Sequence, residues 1–125
     1  YAWVKFGLTF TDTETHGFTL IATDTIQYTG ENCHLEWHVS MTVDGTTGKD
    51  YEAAIWNVTD GVKVPARTAF TVTGTNDKNS VSILAYDVNA NKNDKYCLKL
   101  RSISNPTANL NFYYVTILGK VLHFE

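Results

Sequence analysis

The chain has 125 residues, of which 43% are hydrophobic and 18% charged, enough for one cored domain and not a disordered composition. A formal net charge of −3 leaves no basic footprint for nucleic acid, and no apolar run is long enough to cross a membrane as a helix. Two cysteines are too few for a disulfide scaffold or a zinc knuckle. The opening residues, Tyr1-Ala2-Trp3-Val4-Lys5-Phe6, carry no secretory leader and no initiator methionine. A processed or trimmed N-terminus, or the edge of a larger polypeptide, is therefore expected.

Turn formers recur at short intervals and no helical period stands out, so the pattern predicts strands of about five to ten residues. Trp3 to Phe10 reads as a first strand or strand pair broken near Gly7, Gly17 to Ala22 as a second, and Thr25 to Tyr28 as a short third. Cys33 to Val43 is the cleanest strand. Leu35, Trp37, Val39, Met41 and Val43 lie in register with Cys33 on an apolar face. Asp44 to Asp50 is rich in turn formers and reads as a hairpin loop. Tyr51 to Val58 follows, closed by the turn dipeptide Asp60-Gly61. Arg67 to Thr73, Ser80 to Val88, Lys95 to Ile103 and Leu110 to Leu118 complete the set. About nine or ten strands at this spacing point to a single all-β domain over 1–125, an antiparallel sandwich or jelly roll.

Leu110 to Leu118 is unusual because it is apolar on both faces. Leu110, Phe112, Tyr114 and Leu118 point one way, and Tyr113, Val115 and Ile117 the other. An antiparallel strand with one wet face alternates apolar and polar. This strand needs cover on both sides, and a second copy of the chain is the expected source of the second cover.

Little in the chain points to chemistry. There is no nucleophile elbow, phosphate loop or Cys-x-x-Cys pair. Most of the acids, Asp12, Asp24, Asp44, Asp50, Asp60, Asp77 and Asp94 among them, fall in turns, where backbone geometry already favours aspartate. His34, Glu36 and His38 share one strand face, but same-face neighbours lie nearly 7 Å apart, too far for three ligands to one ion. They read as the polar outward face of an amphipathic strand, and no metal or cofactor is expected. Asn57-Val58-Thr59 matches a glycosylation acceptor, a pattern that is frequent by chance. Cys33 shares the inward register and Cys97 the outward register of Lys95, Lys99 and Arg101, which argues against a bridge between them. Trp56 and Asp60 are the nearest pair for a sugar-binding loop.

The order of several segments resembles the tumour necrosis factor and complement globular-head superfamily, in the version found in bacteriophage and large-virus structural proteins. The resemblance runs through Thr25-Ile26-Gln27-Tyr28-Thr29-Gly30, then Leu35 to Met41, then Ala53 to Gly61. It continues through Ser82 to Val88, the Asn93-Asp94 turn with Lys95 to Leu100, and finally Phe112 to Leu118. Asn93 stands where the family has glycine, and asparagine also tolerates a left-handed backbone.

The resemblance implies a ten-strand jelly roll that assembles as a homotrimer, with the central and last strands in an inner sheet around the three-fold axis. Trp37, His38, Tyr113, Val115 and Ile117 are the expected assembly residues. Lys95, Lys99 and Arg101 would face solvent on an outer sheet, with Cys97 exposed or half-exposed beside them. His34, Glu36 and His38 would face the subunit interface and make assembly sensitive to pH.

The expected function is a non-enzymatic virion protein made in the host cytoplasm: a fibre head, knob or decoration on a capsid or tail. Its partners would be its own copies, other virion proteins or a host-surface glycan, with Asp44 to Asp50, Thr75 to Asn79 and Asn89 to Asp94 as display loops. The alternative is a carbohydrate-binding receptor module.

Overall fold

A computed structural model describes residues 4–5, 17–22, 24–45, 50–71, 78–103 and 110–122. These residues hold nine strands and no helix: β1 (Val4–Lys5), β2 (Phe18–Ala22), β3 (Thr25–Tyr28), β4 (Cys33–Gly45), β5 (Asp50–Asn57), β6 (Val62–Thr71), β7 (Asn79–Ala90), β8 (Lys95–Ser102) and β9 (Leu110–Leu122). Every strand pair is antiparallel. One sheet has the order β2-β3-β8-β5-β6, with β1 also paired to β8, and the other has the order β7-β4-β9. The central and last strands are thus neighbours in one sheet, and β8 lies in the other. Of the expected strand from Trp3 to Phe10, all but Val4–Lys5 lies outside the described residues.

The two sheets face each other across one hydrophobic cluster. The first contributes Tyr28, Ala53, Ile55, Val64, Tyr96 and Leu98. The second contributes Leu35, Trp37, Val39, Met41, Val43, Val81, Ile83 and Ala85. Period-two alternation in β4 and β7 produces the second set directly, because alternate side chains leave a strand on opposite faces. Trp37 pins the sheets together. Its ring centroid lies 4.9 Å from that of Tyr96 on β8 and 5.5 Å from that of Phe18 on β2. Gly119 of β9 is its register partner. A Cβ at Gly119 would stand 2.9 Å from the Phe18 ring and 3.0 Å from the Trp37 ring, so the large side chain requires the missing one.

The structure corrects three sequence expectations about the strands and their connections. Asp44 to Asp50 is not a hairpin loop, because β4, which ends at Gly45, and β5, which begins at Asp50, belong to different sheets. Turn composition marks where a strand ends but not where the next one goes. The sixth strand starts at Val62 rather than Arg67. Pro65 obscures this in the sequence because it cannot donate to a ladder. It is accommodated because β6 is the last strand in its sheet's order and the register shifts opposite Ala54 and Trp56. Cys97 is 3% exposed rather than open to solvent, and it forms no disulfide with Cys33.

The expected turns hold their backbone requirements. Gly61 has φ +68° in the turn between β5 and β6, and Asn93 has φ +73° before β8.

Candidate functional site

The outward face of the sheet β7-β4-β9 is the most distinctive surface of the described molecule. Among the described residues ten large hydrophobics are exposed, and Leu84, Tyr86, Val88, Tyr114 and Leu118 lie on this one face. Five further outward positions, Ser40, Thr42, Ser80, Ser82 and Thr116, are small and polar, and Glu36, His38 and Lys120 are larger polar ones. Ser40 lies between Ser82 and Thr116, and Thr42 lies between Ser80 and Tyr114. The result is a flat surface with apolar ridges and short hydroxyl side chains, not a charged wet face.

His38 occupies the middle of this face. Its register partners are Leu84 on β7 and Leu118 on β9. Glu36, two residues away on the same face, lies between Tyr86 and Lys120. His38 Nε2 is 2.6 Å from Glu36 Oε1, with side chains 46% and 15% exposed respectively. A shallow depression of about 340 Å³ opens here, lined by His38, Ser40, Ser82, Leu84, Thr116 and Leu118. The pair is an imidazole and a carboxylate bridged by one hydrogen bond, with leucines on either side of the imidazole. Among the described residues, no group of three or more His, Cys, Asp or Glu side chains could hold a metal ion.

The five expected assembly residues do not form one surface. Trp37 is 1% exposed and lies in the core, and Val115 and Ile117 pack against that core. Only His38 and Tyr113 are exposed. Tyr113 donates its hydroxyl to Asp44 Oδ2 at 2.7 Å, and the Lys78 ammonium lies 4.6 Å from its ring centroid. That hydrogen bond, and burial second, push its phenol above the usual value. The double-faced character of the last strand is real, but the faces are assigned the other way round. Val115, Ile117 and Val121 point inward, while Tyr114 and Leu118 are 76% and 57% exposed. Both faces of Leu110 to Leu118 are apolar, so its sequence alone carries no sign for in or out. Pairing with β4 supplies it, by placing Gly119 opposite the buried Trp37.

The sugar-loop pair is also separated. Trp56 and Asn57 are consecutive in β5, so their side chains leave on opposite sides. Trp56 lies under the Lys99 ammonium, 4.4 Å from its ring centroid. Asp60 bonds instead on the side of Asn57.

The described structure contains a polar cluster at one end of the sandwich that turn composition hid. The buried Asn57 amide nitrogen lies 3.0 Å from Asp94 Oδ2 and 3.2 Å from Asp60 Oδ2 and Asp87 Oδ2. Tyr96 donates its hydroxyl to Asp87 Oδ2 at 2.6 Å, and the Asn91 backbone N–H donates to Asp94 Oδ2 at 3.0 Å. Burial first, then the hydrogen bond to Asp87, raise the Tyr96 phenol far above its usual range. These bonds clamp the ends of β5, β7 and β8 together. Asn57 is 2% exposed and its amide nitrogen is occupied, so the Asn57-Val58-Thr59 tripeptide presents no acceptor in the folded chain. Of the expected display loops, 46–49 and 75–77 lie outside the described residues. The Asn89 to Asp94 stretch is anchored by Asp94, which is 3% exposed.

Compared with family models, curated proteins and solved structures, the chain matches none.

Proposed function

We propose that this chain is a non-enzymatic, self-assembling module whose copies pack through the outward face of β7-β4-β9. In this reading the fold is a jelly roll of the tumour necrosis factor type, the assembly is a homotrimer, and the protein is a knob, fibre head or decoration on a virion. The placement on a virion and the three-fold symmetry rest on the sequence resemblance. Self-association rests on the structure's exposed apolar face, and that single observation carries the proposal.

Two further features favour a second copy over a different partner. Strands of 12 and 13 residues give the face a plan area on the order of 600 Å², the scale of one side of a standard protein–protein interface. The face also carries charges of both signs as register partners, Glu36 and Lys120, so a copy of itself can meet each with its opposite.

Sedimentation velocity on the isolated chain tests the reading, with a trimer at micromolar concentration as the expected result. A folded monomer under those conditions would overturn self-assembly, and a dimer would overturn the three-fold symmetry.

A further inference from the structure

We infer that Tyr114 is the anchor of self-association, and that its ring in one copy fills the depression beside Leu84 and Leu118 on the next. The inference rests on the assembly reading above. Tyr114 is 76% exposed, more than any other large hydrophobic side chain among the described residues. Its neighbour Tyr113 donates its hydroxyl to Asp44, but among the described residues the Tyr114 hydroxyl has no hydrogen-bond partner. A ring held out into water in this way exposes apolar area that a partner would remove, and its polar tip still needs a partner once covered.

The register of the three strands shapes the receiving site. Ser82, Ser40 and Thr116 form one row across the sheet, with Leu84, His38 and Leu118 on one side of it and Ser80, Thr42 and Tyr114 on the other. The short side chains of the Ser40 row leave the depression of about 340 Å³, and Leu84 and Leu118 rise beside it. Apolar walls suit an aromatic ring, and the three hydroxyls and the His38 imidazole can each bond a phenol hydroxyl. Tyr114 does not line this depression in its own chain. Same-face neighbours on a strand lie about 7 Å apart, so the ring and the depression are separate patches of one face. The chain thus carries both halves of the contact, which favours a second copy over an unrelated partner. A contact between unlike patches lets each copy give one ring and receive another, and such contacts close into a ring of copies when the rotation returns to its start.

The test is sedimentation velocity on the full chain and two variants, with far-ultraviolet circular dichroism on each. Tyr114→Thr removes the ring but keeps a strand former. Ser40→Phe fills the depression from within and leaves the ring in place. Each change should weaken self-association by about thirtyfold or more, with the strand signal intact. Mixing the two variants pairs the ring of the Ser40→Phe copy with the open depression of the Tyr114→Thr copy. A one-to-one complex is expected, about tenfold or more tighter than the association of either variant alone. Wild-type affinity in Tyr114→Thr, or a mixture no tighter than its components, would overturn the anchor while leaving self-assembly standing. Where Tyr114→Thr loses its strand signal, Ser40→Phe decides alone, and wild-type affinity in that variant overturns the anchor. A folded wild-type monomer overturns the assembly reading, and the anchor with it.

Discussion

The outward faces of the two sheets meet the same problem and resolve it differently. On the sheet that contains β5 and β8, long charged side chains lie over the apolar surface. The Lys99 ammonium stacks on Trp56, and Arg101 bonds Glu52 Oε1 at 2.7 Å through Nη2 and at 3.3 Å through Nε. Arginine and lysine stems cover apolar neighbours while their heads remain solvated or paired. Cys97, the register partner of Trp56 and two residues before Lys99, is 3% exposed. Along the middle of the sheet β7-β4-β9 the polar positions Ser40, Thr42, Ser80, Ser82 and Thr116 are too short to cover a leucine or a tyrosine, and the longer Glu36 and Lys120 lie opposite each other toward one end. Leu84, Tyr86, Val88, Tyr114 and Leu118 therefore stay open. Closure of a sheet face depends on the reach of its polar side chains as much as on their number. By that measure Lys99 and Arg101 cover part of one face, and the five large apolar side chains of the other stay open.

Four experiments break or sharpen this contrast. The largest effect belongs to the open face. Leu84→Asp combined with Leu118→Asp places two charges beside His38 and should weaken self-association by about a hundredfold or more. The monomer should keep its fold, which light scattering and urea unfolding would show together. The same double change leaving both association and stability untouched would remove the open face from the assembly.

Next is the partly covered face. Glu52 is 5% exposed, and Glu52→Ala removes the partner of a half-buried guanidinium. A loss of about 2 kcal/mol in urea unfolding is expected, with no change in oligomeric state. A change in association without a change in stability would show that this face, too, meets a partner.

The third experiment uses alkaline pH. Burial, followed by the Cys33 contact, pushes the Tyr28 phenol up to about 12, and Tyr96 is raised further. The unfolded chain ionises these phenols from about pH 10, while the folded chain keeps them protonated. Their contribution to stability is therefore complete below pH 10 and is lost as pH rises from 10 toward 12. Thermal melts across that window should fall more steeply for the wild type than for Tyr28→Phe. Parallel curves would mean that burial of Tyr28 does not hold its proton.

The smallest effect is Lys99→Ala, which uncovers Trp56. It should cost roughly 0.5–1 kcal/mol and shift tryptophan emission to longer wavelength. An unchanged spectrum would show that the ammonium does not cover the ring.

Much of this architecture is legible in the residues. Turn composition and β-branched runs mark β3, β4, β5, β7, β8 and β9 to within a few positions at most ends, because strand patterning and turn chemistry are local. The inward set of β4 follows from its alternation. The apolar character of both faces of the last strand follows from nine residues of sequence. Elsewhere local signals mislead. Pro65 masks the first half of β6, because its tolerance depends on β6 lying at the edge of a sheet. The aspartates of the Asn57 cluster read as turn formers and nothing more. Asp60, Asp87 and Asp94 converge only once β5, β7 and β8 are assembled.

By itself, the sequence determined the all-β class, the strand inventory, the inward register of the central strand and the presence of an unusual last strand. These depend on spacing along the chain, which the residues state outright. Only the tertiary structure decided which of two apolar faces turns inward. A period-two pattern has no sign of its own when both phases are apolar. The sign comes from long-range pairing: Gly119 lies against Trp37, so Val115 and Ile117 go to the core, and Tyr114 and Leu118 face out.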